Sequence, residues 1–340
     1  MMSIGWALRG SIGGGPLGAM IPGALWAMAI AYQKKWNASQ ASLFIGLCTL
    51  GIGLGGQMTY GQTIGLFREP DTRLWGLLGL TLKGAIWGFL GGVIISLAWL
   101  MPKRPVRVSL FLVAATQAGW MLINQPKLIY FSNRLIRPRE EIWAGLALSA
   151  LAVLLLVRNP IAYRFALWGT LGGALGFGGG TFFNLVPVTD FPGWKMMEFT
   201  FGLILGALLT KAVPDTTPIE ARPWKAWHQV SYPLLALFTI GVDLTLQLRF
   251  AFTAVTAVLI LILALAPQLG WTLGLSVTLA AACWELYQTH ANWAIALAIA
   301  PPAILAWWQS REENFQLKAM LLLLVTCCWI YCLEYFPIFR

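Results

Sequence analysis

Apolar runs of about 17 to 27 residues recur from one end of this chain to the other, parted only by short polar stretches. Inside a bilayer such a run has to be helical, because no water is there to satisfy open backbone N–H and C=O groups. The charged fraction, 11%, is under half the rough quarter carried by soluble domains. The expected fold class is therefore all-α, a polytopic transmembrane helix bundle of about 10 to 12 spans with broken glycine-rich helices. The runs are 4–32, 39–66, 74–100, 107–123, 140–157, 162–186, 193–213, 228–247, 250–267, 270–288, 290–308 and 316–336.

The net charge of +10 does not point to nucleic acid, because the basic residues (Lys34, Lys35, Lys103, Arg104, Arg107) are scattered over short loops instead of forming one patch. Loop Lys and Arg that meet anionic headgroups make the lipid bilayer the partner. Loops after odd-numbered spans hold more of them, which places both termini outside. MMSIGWALRG lacks a basic n-region and a cleavage site, so the first run reads as a retained span. The odd set of Cys48, Cys283, Cys327, Cys328 and Cys332 reads as small buried hydrophobes. With only two histidines, the chain predicts no cofactor and no metal.

Glycine divides the chain. All but Gly241, Gly270 and Gly274 of the 35 glycines precede residue 214. This separates a close-packed bundle over 1–213, a polar link over 214–229 and an ordinary bundle over 230–340. Within 4–32, the run Gly13-Gly14-Gly15-Pro16 with Pro22 predicts a broken or kinked helix, since proline removes a ladder hydrogen bond. Freed backbone at membrane depth is tolerated only where protein or a water-filled cavity satisfies it. Asn37 is expected to cap the next helix.

The densest polar signal lies in 46–92. Gly51-x-Gly53-x-x-Gly56 matches the dinucleotide fingerprint as text, but that motif needs a strand before it and an aqueous crevice. Close helix approach accounts better for it and for the Gly10/Gly14, Gly51/Gly55, Gly84/Gly88 and Gly202/Gly206 spacings. An ionisable group at bilayer depth costs at least about 2.5 to 3.5 kcal/mol, so it lines a cavity or finds a partner. Lys83 sits mid-span and Glu198 a turn or two inside its span, which predicts a Lys83–Glu198 pair or a Lys83 satisfied by carbonyls. Arg9 precedes the glycine run; it either helps a nest of backbone N–H groups hold an anion or snorkels to the surface. Gln57, Thr59, Tyr60, Gln62 and Asn184 complete a polar set near Trp75, Trp87, Trp168 and Trp194. Farther on, Asp243 and Glu285 are a second candidate, as a proton-relay or cation site.

Two internal similarities compete. ALRGSIGGG (7–15) resembles ALWGTLGGA (166–174), implying inverted repeats, while GLGG (53–56) pairs with GFGG (176–179), Trp75 with Trp194 and Gly84/Gly88 with Gly202/Gly206, implying parallel ones.

Broken helices, repeats and polar groups at depth predict a transporter or permease for a small polar or anionic solute in a bacterial cytoplasmic membrane. Two alternatives stand beside it. One is an intramembrane enzyme on a lipid-linked or acyl substrate, with Glu198, Glu285 or His290 as acid or base, against which no loop carries a clustered catalytic set. The other is a non-catalytic scaffold, as a homo-oligomer or with a membrane-complex partner.

Overall fold

The computed structural model describes residues 1–12, 14–101, 105–133, 138–186, 193–221, 251–279 and 315–335. Among them every regular element is helical, as expected. Gly15–Gln33, Ala38–Gly55, Pro70–Leu100 and Pro105–Asn124 are long and apolar enough to cross a membrane.

Helices α1 (Met2–Ile12) and α2 (Gly15–Gln33) come from the single run 4–32. The chain breaks between them at the glycines, and Gly15 takes a φ of 71°, where a side chain would be strained. Here the structure corrects the sequence reading. The two helices are not halves of one crossing but an antiparallel hairpin: Gly5 lies on Pro22, where a Cβ would stand 2.6 Å from the proline Cα, and Met2 and Trp26 meet over the same Gly206. At about 1.5 Å per residue, the 11 residues of α1 reach about 16 Å, half an apolar bilayer core of about 30 Å. The start of α1 therefore lies toward the 33–38 turn: the break expected within 4–32 is a fold-back, and of the two helices α2 is the one long and apolar enough to cross.

Helix α3 (Ala38–Gly55) opens on the expected Asn37 cap. Gln40 N donates to Asn37 Oδ1 at 2.9 Å, and Asn37 N donates back to Gln40 Oε1 at 3.0 Å. It stops at 56–60, and α4 (Gly61–Arg68) resumes in the same general direction, since both run antiparallel to α5 (Arg73–Leu100): Gly51 faces Ile94, and Gly76 faces Phe67. The run 39–66 is thus one broken helix.

Helix α6 (Pro105–Gly119), continued by a π-helical turn to Asn124, pairs with α7 (Trp143–Val157), and α8 (Pro160–Gly180) with α9 (Gly193–Ala212). Helices α5 and α8 cross in close contact, where Gly84 and Gly88 meet Gly173 and Gly169 backbone to backbone. Gly202 and Gly206 do the same service for a different neighbour, the start of α1. Helix α8 turns the soluble pattern inside out. Gly169, Gly172, Gly173 and Gly176 face the core, while Leu167, Leu171 and Leu175 at i, i+4 and i+8 form an exposed stripe.

Helix α10 (Ala251–Leu265) lies against α3 and α6, with Ser109 Oγ donating to Ala257 O at 2.7 Å, and α11 (Phe315–Tyr335) packs on α1 and α2. Residues 214–221 strap the Lys-rich end: Ile219 N donates to Ala98 O, Ala221 N to Ser39 O, and Lys34 Nζ pairs with Asp215 at 2.9 Å. That lysine holds the fully exposed Asp215 carboxyl below its ordinary range, by hydrogen bond first and charge second.

Candidate functional site

The two backbone breaks meet. Gly56, at the end of α3, packs on Gly15 and Pro16 at the start of α2, where a Cβ would stand 2.5 Å from Gly15 O. A broken helix leaves backbone groups open at each end. At the end of α3 they are taken up locally: Gly56 N donates to Gly53 O and Met58 N to Gly55 O, while Trp87 Nε1 takes Ile52 O at 2.8 Å and Gln57 Nε2 takes Leu54 O. The break also feeds two buried ion pairs, one on each side.

The first joins Arg9, Tyr60 and Glu198. Arg9 Nη1 donates to Glu198 Oε1 at 2.8 Å and to the Tyr60 hydroxyl, which in turn donates to the same Oε1 at 2.6 Å. Arg9 is 3% exposed and Glu198 0%, so the arginine does not snorkel. Its guanidinium lies 5.2 Å from the Trp6 ring, 5.5 Å from Tyr60 and 5.7 Å from Trp87. Those rings supply cation–π attraction to the buried guanidinium. The set is left with an open valence, because Arg9 Nε has no hydrogen-bond partner. Oε2 faces Gly10, where a Cβ would stand 2.2 Å from it.

The second pair is Lys83 with Glu141, and it overturns the expected Lys83–Glu198 pair. Lys83 Nζ donates to Glu141 Oε1 at 2.7 Å, Thr63 Oγ1 at 2.8 Å and Thr59 O at 2.7 Å, which uses all three of its protons. Glu141 also accepts from Phe131 N and Ser132 Oγ. Lys83 thereby ties the broken strand 59–63 to the segment before α7. Unlike the first pair, it closes on itself.

A cavity of 520 Å³ opens on the first pair. Its polar wall is Arg9, Tyr60, Glu198, Gln57, Thr59 and Arg139; Gly10, Gly14, Gly15 and Gly56 give backbone, and Trp194, Met58 and Phe252 give apolar surface. Tyr60 and Trp194 stack with ring centroids 5.1 Å apart. The first turn of α2 also reaches the cavity, with Gly14 as an N-cap that makes no side-chain cap. Of the α2 residues on the wall Gly15 carries an N–H and Pro16 none, and the positive end of the helix dipole reaches the cavity there.

Of the eight residues singled out in the sequence, Arg9, Gln57, Thr59, Tyr60 and Glu198 come together at this cavity. Gln57 Nε2 also binds Thr253 Oγ1 at 2.9 Å, which fixes α10 to the wall. Lys83 and Gln62 belong to the helices behind it, and Asn184 accepts from Arg68 Nη2 at 3.2 Å at the far end of α8. Asp243, Glu285 and His290 lie outside the described residues. Sequence reasoning missed Glu141 and Arg139. The signal for the glutamate was there, in a pair of acids at the start of the apolar run 140–157.

Among the described residues no group of histidine, cysteine, aspartate or glutamate side chains is arranged to hold a metal ion. Comparison with protein-family models, with curated proteins and with solved structures finds no match to this chain.

Proposed function

We propose that the chain is a multi-pass protein of the cytoplasmic membrane, bacterial in type, with about 10 to 12 spans, and that it carries a small polar or anionic solute through the cavity at Arg9, Tyr60 and Glu198. One observation carries the reading: a helical hairpin and an interrupted helix bring their breaks together at a cavity that also holds a buried ion pair with an unused valence. Irregular backbone survives at membrane depth only where it lines such a space, and transporters of several folds bind solute where half-helices end. The exposed leucines of α7 and α8, among them Leu148, Leu151, Leu155, Leu167 and Leu171, support lipid as the surrounding phase. Parallel duplication of α3–α5 in α8–α9 belongs to the same proposal.

The test uses purified protein in liposomes, with swelling or efflux followed for a panel of neutral and monoanionic solutes. The wild type is expected to pass a subset selectively. Gly10→Ala is expected to lower that flux at least tenfold with the fold retained. Its Cβ strikes only the far end of a carboxylate side chain, which can move aside, and in moving it leaves Arg9. Equal flux through wild type and Gly10→Ala, or none above empty liposomes, would contradict the reading.

A further inference from the structure

Resting on that solute site, we infer that the ligand is a small monocarboxylate with an apolar body, bound together with one proton: its carboxylate takes Arg9 from Glu198, and Glu198 takes the proton.

Open donors outnumber open acceptors at the cavity. Arg9 lines the cavity and its Nε has no partner, Arg139 lies on the wall, and the positive end of α2 reaches the cavity at Gly15, whereas carbonyls at the end of α3 are engaged by Gly56, Gln57, Met58 and Trp87. A helix N-terminus alone would not make a site; here it shares a cavity with a buried guanidinium whose valence is unmet. A guanidinium fork matches a carboxylate in two parallel hydrogen bonds, and Trp194, Met58 and Phe252 cover an apolar remainder.

An anion placed on Arg9 meets the Glu198 carboxylate at once. Two carboxylates sharing one site do not both stay ionised. The charged and titratable groups near Glu198 among the described residues are Arg9 of α1, Tyr60 of the break, Lys195 of its own helix and Arg139 on the wall. Helix α8 and the turn at 181–185 offer none at this end, and Lys83 of α5 is committed to Glu141. Glu198 is therefore the group that gives way. The exchange balances: a proton from the water open to the cavity bonds to a Glu198 oxygen, Arg9 trades one carboxylate for another, and the buried charge is unchanged. No covalent bond but that O–H forms.

Calorimetric titration of wild-type protein with pyruvate, benzoate, inorganic phosphate or glycerol, run in two buffers of different ionisation enthalpy, reads the protons taken up per ligand. The expected result is binding of pyruvate or benzoate in preference to phosphate and glycerol, with uptake of about one proton, and an affinity that falls up to about tenfold per pH unit as pH rises. Arg9→Gln is expected to weaken binding at least about thirtyfold. Glu198→Gln is expected to bind with no proton uptake and little dependence on pH. Wild-type binding without proton uptake, preference for phosphate or glycerol, or no binding of either monocarboxylate would overturn the inference, and the wild-type count needs no variant to fold. Pyruvate flux into proteoliposomes without linked protons would sink this inference and spare the transport reading, whereas proton-linked binding with no flux would do the reverse.

Discussion

Lys83→Met is expected to destabilise the protein by about 3–5 kcal/mol, the usual consequence of removing one member of a buried ion pair. Lys83 and Glu141 side chains are each 1% exposed. Methionine would leave the Glu141 carboxylate in a dry site with only Phe131 N and Ser132 Oγ, and would strip Thr59 O of its donor at the point where the helix is broken. Both losses act on folding. The double replacement Lys83→Met with Glu141→Gln removes the stranded charge and is expected to recover most of the loss, since a buried pair is often worth little against a neutral isostere. Thermal unfolding in detergent checks both. A double variant no better than the single one would show that Lys83 works chiefly on the backbone of 59–63.

Gly88→Leu is expected to cost more than about 3 kcal/mol and to abolish the monodisperse folded protein on size exclusion. A Cβ on Gly88 would stand 1.8 Å from Gly169 O, and one on Gly169 2.1 Å from Gly88 O, so α5 and α8 are in backbone contact. Gly84 and Gly173 repeat the contact one turn away. Nothing flexible is present to yield, and the helices would have to part along their length. Gly179, near the end of α8, is the control, for a Cβ there meets nothing within 4 Å. Gly179→Ala is expected to be neutral or stabilising by up to about 1 kcal/mol. A Gly88→Leu protein as stable as Gly179→Ala would contradict the backbone contact between α5 and α8.

What could be read from the chain, and what could not, follows from the physics of each signal. The breaks were legible, because glycine runs and a proline mark places where helix is locally weak, and the chain is interrupted ahead of α2, at Gly14, and again over 56–60. The direction taken after a break was not. An apolar run over 4–32 has the same hydropathy whether it crosses or folds back, and only the packing of Gly5 on Pro22 reveals the hairpin. Likewise the cost of a buried charge announced that Lys83, Arg9 and Glu198 need partners, without saying which. Matching one glycine-rich helix to another suggested Lys83 with Glu198; the true partner of Lys83 is Glu141, in a loop segment that carries no helical period. Small-residue spacing predicted close approach correctly for Gly84/Gly88, which meet α8, and Gly202/Gly206, which meet α1, but not for Gly10/Gly14, which the break separates: Gly10 faces the Glu198 carboxylate and a Cβ on Gly14 meets nothing within 4 Å.

The central claim is that the breaks enclose a water-filled, polar cavity beside Arg9 and Glu198. Its most direct test is the reactivity of Gly14→Cys toward a charged, membrane-impermeant thiol reagent, in protein lacking its five native cysteines and reconstituted in liposomes. Gly14 lines the cavity, and a Cβ there meets nothing within 4 Å, so the substitution is expected to leave the fold intact. The control is Ala24→Cys, fully buried on α2. The account predicts rapid modification of Cys at position 14, from one side of the membrane only, and none at position 24. Modification at position 14 as slow as at position 24 would mean a dry, closed interior and would contradict the account.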